Sequence, residues 1–178
     1  MKKIYKYLIA FLILSLILTL ILIDSKEVNF NHILLSKNNT VYNITKKPYL
    51  DTIVKTALDI ENVKGVTVVI QVLTNLKQES LGRELEIKAS IYGEGSTYIL
   101  RMNDNVDKRE AILVVAHEII HLRQYYSKKL AISQGYVFWD GVIVDHKNIN
   151  YEERPWEMEA FSKQEGLKNK IEKILLKF

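Results

Sequence analysis

The sequence predicts an α+β domain carried behind an N-terminal membrane helix. Three observations predict it. Apolar residues recur at helical spacing in three separate stretches. Between those stretches lie β-branched or alternating runs bounded by glycine and asparagine. The chain of 178 residues also opens on a near-continuous apolar run. That length allows one domain besides the run.

The N-terminal run follows Met1-Lys2-Lys3-Ile4-Tyr5-Lys6-Tyr7 and extends from Leu8 to Ile23, interrupted only by Ser15 and Thr19. With Tyr7 it is about 17 residues long, the short end of what spans a bilayer as a helix. Snorkelling of Lys6 would let Ile4 and Tyr5 extend it. It ends Leu20-Ile21-Leu22-Ile23-Asp24-Ser25, with no small-residue cleavage site and no cysteine for a lipid. This describes an uncleaved signal anchor rather than a removed signal peptide. Lys2, Lys3 and Lys6 precede the run, which places the N-terminus in the cytoplasm and the domain outside, on a single-pass membrane chain. Residues 1–24 therefore read as anchor, 25–47 as a polar linker rich in asparagine and lysine, and 48–178 as the folded domain. A short strand at Thr40 to Ile44 is expected within the linker.

The net charge of +4 arises mostly from the anchor, because setting aside Lys2, Lys3 and Lys6 leaves 22 basic against 21 acidic residues. No basic stripe with interleaved aromatics points to nucleic acid. The chain has no cysteine, which excludes disulfides and thiolate metal sites.

Within the domain, Pro48 opens a helix whose stripe of Leu50, Ile53, Val54, Ala57, Leu58 and Ile60 runs to about Asn62. Val66 to Leu73 is β-branched and predicts a strand. Thr74 to Gly82 reads as a loop. Leu85, Ile87, Ala89 and Ile91 alternate with polar residues, predicting one strand from Leu85 to Tyr92. Gly93 to Ser96 is a turn, and Thr97 to Met102 returns as a third strand. A central helix follows from about Val106 to Lys128, with Asn103, Asp104 and Asn105 offering caps. Gln134 and Gly135 break the chain. Tyr136 to Trp139 and Val142 to Val144 flank Asp140-Gly141, a two-residue hairpin signal. His146 to Glu153 is a polar loop, and Pro155 starts a terminal helix. The expected order is helix, three strands, central helix, hairpin, terminal helix.

The central helix carries His117-Glu118-Ile119-Ile120-His121, an H-E-x-x-H pattern. Two histidines four apart lie on one helix face, a turn apart, where both imidazoles reach a single zinc ion. Glu118 can then act on the attacking water as general base. The surrounding Ile112, Leu113, Val114, Val115, Ile119, Ile120 and Leu122 cover nearly the whole circumference, so the helix is expected to be buried. His117, His121 and Gln124 form its polar stripe. Buried histidines and a carboxylate need partners, and a metal supplies one directly.

A catalytic zinc generally takes three protein ligands and leaves a fourth position open. The third ligand is sought in Tyr151-Glu152-Glu153-Arg154-Pro155-Trp156-Glu157-Met158-Glu159-Ala160-Phe161, or at His146 on the preceding loop. Glu157 lies in the first turn of the terminal helix, with the small Ala160 on the same face. Glu159 points about 200° away from Glu157 at helical spacing, so both cannot face one metal.

With these residues in place, the chain resembles the gluzincin metallopeptidases, in particular their minimal single-domain forms of bacterial and phage origin. The H-E-x-x-H helix, a later Glu157-Met158-Glu159-Ala160 of the E-x-x-A kind, Gln124 three residues after His121, Trp139-Asp140-Gly141 and Arg154-Pro155-Trp156-Glu157 carry the likeness, over about Thr97 to Phe161. The resemblance implies a zincin-like domain with Zn²⁺ held by His117, His121 and Glu157, and Glu118 as catalytic base. It also implies a sheet whose last strand before the motif helix, Thr97 to Met102, borders the cleft and pairs with an extended peptide. The segment from His121 to Glu157 is longer than in thermolysin-like enzymes. Phe161 stands where many gluzincins carry a histidine-orienting aspartate, which leaves that role without a residue. No glycine-and-histidine extension follows His121, so the metzincin pattern fails.

The expected function is zinc-dependent hydrolysis of a peptide or protein substrate near a membrane. Tyr151, Tyr125, His146 and Arg154 are the candidates to stabilise the oxyanion. The alternative is a non-catalytic zinc-containing module tethered to the membrane for binding or structure. An intact Glu118 argues against it, because a structural site has no use for that base.

Overall fold

The computed structural model describes residues 38–176. The anchor at 1–24 and the first part of the linker lie outside the described residues. Among the described residues, no helix is long and apolar enough to cross a membrane. The described residues form an α+β fold, with three α-helices and mixed strands.

The chain enters on β1 (Thr40–Asn43), inside the stretch read as linker, and β1 pairs in parallel with β2 (Thr67–Leu73). Between them runs α1 (Tyr49–Ile60), the crossover that a parallel pair requires. After β2 a separate hairpin of β3 (Lys77–Ser80) and β4 (Arg83–Glu86) projects. β5 (Ala89–Glu94) and β6 (Thr97–Asn103) return to the main sheet, whose order is β1-β2-β6-β5. β6 is parallel to β2 and antiparallel to β5. The sheet thus has four strands rather than three, and β5 forms its edge.

Two strand readings need correction. Thr74 to Gly82, read as a loop, contains β3. The hairpin turns at Leu81-Gly82, both with positive φ (50° and 70°). That is the geometry of a tight two-residue turn, but leucine at its first position hides it in the sequence. The single strand from Leu85 to Tyr92 is two strands. It breaks at Ile87 and Lys88, where the chain bends and its partner changes from β3 to β6.

α2 (Lys108–Tyr126) is capped by Asp107, whose carboxylate accepts from the backbone N–H of Arg109 and Glu110 at 2.8 Å each. The cap is not among Asn103, Asp104 and Asn105. Asn103 is buried and donates to Glu86 Oε1 and the Ile87 carbonyl. The buried Val106 just before the cap closes the helix entry as an apolar staple. α2 packs on α3 (Pro155–Leu175) and on α1. The shared core includes Leu58, Val68, Leu100, Ile119, Leu122 and Ile171, all fully buried. Residues Val115 to Leu122 are buried without a gap, so α2 is a central element and not a surface one.

Between α2 and α3 lies a meander of β7 (Leu130–Ser133), β8 (Tyr136–Trp139) and β9 (Val142–Val144). The expected hairpin turns at Asp140-Gly141, with φ of 49° and 79°. Gln134-Gly135, read as a break, is an equivalent turn with φ of 50° and 80°, and it adds β7. Leu130, Val137 and Trp156 seat the meander on the helices in a small second core.

Candidate metal centre

Three side chains converge where α2 meets the start of α3. His117 and His121 lie one turn apart on α2, and Glu157 lies in the first turn of α3. The Nε2 atoms of the two histidines are 3.0 Å apart, and each is 3.2 Å from Glu157 Oε2. All three residues are buried. Donors about 2.1 Å from a tetrahedral metal ion stand about 3.4 Å apart, close to this spacing. The group can hold a metal ion, and among the described residues it has three members.

Each histidine is aimed by a glutamine. His121 Nδ1 lies 2.8 Å from Gln124 Oε1, and His117 Nδ1 lies 2.9 Å from Gln164 Oε1. An amide oxygen accepts, so both Nδ1 atoms carry a hydrogen, and Nε2 is the nitrogen that each histidine turns towards the metal position. Gln164 was not singled out in the sequence. It lies on the Glu157-Ala160-Gln164-Leu167-Ile171 face of α3, and the helical spacing from Glu157 was the signal that could have found it. It takes the orienting role that Phe161 cannot. The Phe161 ring instead packs against His117, with centroids 4.8 Å apart. Ala160 is fully buried and lets α3 approach α2 closely.

Glu118 is buried beside the group and accepts a hydrogen bond from the Ile91 backbone N–H of β5. Burial pushes its carboxyl up from the ordinary value, against the pull of His121 and His117. A small cavity of about 100 Å³ opens at this point, lined by Glu118, His121, Glu157, Tyr125, Tyr151 and Ile91 among others. The larger groove of about 530 Å³, between Ile44 and Leu73, holds no histidine or carboxylate. The Tyr151 hydroxyl donates to Glu157. Burial keeps the Tyr125 phenol up at about 12 and raises that of Tyr151 further, so both stay protonated donors.

The other sequence candidates fall elsewhere. His146 begins a short 3-10 turn (His146–Asn148) and joins no metal-holding group. Arg154 is buried with its guanidinium over the Tyr151 ring at 5.4 Å, outside the cavity lining. Glu159 faces away from the histidines and pairs with Lys129 and Lys163. The strand at the cleft is β5 rather than Thr97 to Met102. β6 is paired on both sides, by β2 and β5, and has no free edge to offer a peptide.

The charges of the group set a pH dependence. Burial alone would lower His121, but its hydrogen bond to Glu157 and the Glu118 and Glu157 charges outweigh this and push it up to about 9. Burial would likewise raise Glu157, yet its hydrogen bonds to His117 and His121 hold it down at about 2. In the metal-free protein the His121 proton therefore adds stability below its unfolded value of about 6.5, and this stability is lost as pH rises through about 9. Metal uptake must displace the same proton. Between pH 6.5 and 9 the metal-free chain should melt at progressively lower temperature while metal affinity rises about tenfold per pH unit. Thermal melts and chelator competition over that interval check both trends, and a pH-independent affinity contradicts the pairing.

Comparison with protein-family models, with curated proteins and with solved structures returned no match in any of the three.

Proposed function

We propose that the chain is a membrane-anchored zinc-dependent metallopeptidase of the gluzincin kind, with a zincin-like domain. The observation that carries this reading is the juxtaposition of His117 Nε2, His121 Nε2 and Glu157 Oε2 within 3.2 Å, with Glu118 on the same cavity wall. A set of two imidazoles and one carboxylate with no thiolate suits zinc with one position open. Zinc bound there supplies Lewis acidity, which brings the pKa of water towards about 7 and polarises the scissile carbonyl.

The chain's own residues do the rest. Glu118, its carboxyl raised by burial, accepts the proton of the attacking water and passes it to the leaving amine nitrogen. Tyr125 supplies a phenol donor at the cavity wall for the developing oxyanion, while the Tyr151 hydroxyl is engaged by Glu157. The outer edge of β5, apart from the Ile91 N–H that Glu118 holds, is the edge along which an extended peptide would pair. The anchor at 1–24 would hold this cleft outside the membrane and favour membrane-proximal substrates.

The test is metal content and hydrolysis of an unstructured protein by the full chain in detergent. One zinc per chain, with chelator-sensitive hydrolysis restored by zinc, is the expected result. A chain that takes up no metal at micromolar zinc overturns the reading. A zinc-loaded chain that hydrolyses nothing leaves the non-catalytic module in its place.

A further inference from the structure

Glu159 is two residues past Glu157, and helical spacing turns it away from the metal position. Its carboxylate is nevertheless fully engaged. Oε1 accepts from Lys129 Nζ at 3.2 Å and from Lys163 Nζ at 2.5 Å. Oε2 accepts from the side-chain amide of Gln124 at 3.1 Å. Lys129 comes from the start of the meander, where its ammonium also sits 4.5 Å from the centre of the Trp139 ring. Lys163 comes from the next turn of α3.

Gln124 is buried, and its amide can be read without ambiguity. Its nitrogen lies 3.0 Å from the Trp156 carbonyl and 3.1 Å from Glu159 Oε2, both acceptors only. A flipped amide would aim its oxygen at a carbonyl and a carboxylate and turn its NH₂ towards His121. The oxygen is thus committed to His121 Nδ1, which must carry hydrogen, and Nε2 is the His121 nitrogen turned towards His117 and Glu157 and open to a metal once its own proton leaves. A line of hydrogen bonds runs from two lysines through Glu159 and Gln124 to a metal ligand.

We infer that Glu159 is a positioning residue of the metal centre, which fixes the orientation of the Gln124 amide and through it the His121 tautomer that a metal requires. The inference rests on the metal reading of the site given above. As an ordinary ion pair near the surface, Glu159 would add little to stability and nothing to metal binding. As a positioning residue it acts on metal affinity, in the range of about 10- to 100-fold that such outer partners command.

The experiment is zinc affinity of the full chain, by competition with a chromophoric chelator, for wild type and four variants. Glu159→Ala leaves the amide held by the Trp156 carbonyl alone and should weaken zinc binding about tenfold with the fold intact by circular dichroism. Glu159→Gln should weaken it too, because the two lysines draw the new oxygen and leave its NH₂ facing the NH₂ of Gln124. Gln124→Glu should weaken it by setting two carboxylates face to face. The double variant Gln124→Glu with Glu159→Gln reverses the polarity of that one hydrogen bond and should bind zinc more tightly than either single variant. A residue that merely stabilises the helix pair predicts no such rescue. Wild-type affinity in Glu159→Ala, or a double variant no better than the singles, overturns the inference. A wild-type chain that binds no zinc overturns the metal reading itself, and the inference with it.

Discussion

Replacing Glu118 by glutamine should lower peptide hydrolysis by on the order of 10³-fold while leaving zinc content at the wild-type level. The substitution keeps the side chain's volume in a site where it is buried, and the new amide oxygen can still accept from the Ile91 N–H. What it removes is the capacity to hold a proton in transit. Metal content should be unaffected because Glu118 is not one of the three converging side chains that could hold it. Paired measurements of hydrolysis and bound zinc separate the possible roles. Undiminished hydrolysis would end the general-base assignment. Loss of zinc would make Glu118 a ligand and require a different geometry at the site.

Glu157→Ala should have the largest effect on the metal itself, weakening zinc binding by well over about 100-fold, beyond what outer partners of a ligand command. Glu157 Oε2 is the one atom common to both histidine contacts, and the carboxylate also receives the Tyr151 hydroxyl. Its loss leaves buried donors without an acceptor, at a cost of about 1–3 kcal/mol each. Glu157→Gln separates charge from packing. It retains an acceptor, but without the negative charge His121 should no longer hold its proton up to about pH 9. The downward trend of the metal-free melting temperature with pH should then flatten. Zinc titrations of both variants, with melts from pH 6.5 to 9, test the assignment. Zinc retained at full strength in Glu157→Ala would send the search for a third ligand to another residue.

The legible parts of this chain are those whose local pattern and tertiary role coincide. The H-E-x-x-H helix needed no tertiary information, because four-residue spacing puts His117 and His121 on one face of any helix. The terminal helix could be placed from Pro155, and the turn from Asp140-Gly141, on backbone chemistry alone. The edge of the sheet was not legible. Whether Thr97 to Met102 or Ala89 to Glu94 is outermost depends on which strand β2 pairs with, some 30 residues away in sequence by the Thr67 to Thr97 register. A strand's own residues do not record that choice. Leu81 hid the β3–β4 turn because leucine rarely takes positive φ. Gln164 was passed over because a glutamine on a charged helix is ordinary until the imidazole 2.9 Å away is known.

The three residues that could hold a metal are split between two helices, with His117 and His121 lying 40 and 36 residues before Glu157. A chain without cysteine has no covalent cross-link. A metal ion shared by α2 and α3 would serve as a reversible one, closing a loop that contains the entire β7–β9 meander. Its contribution would track supply, reaching about 2.7 kcal/mol when free metal stands at a hundred times the dissociation constant and vanishing when metal is withdrawn. In metal-poor surroundings the seam between the helices would open more often, and the loop across it would be exposed to proteolysis. The lifetime of the protein would then be set by the metal available to it.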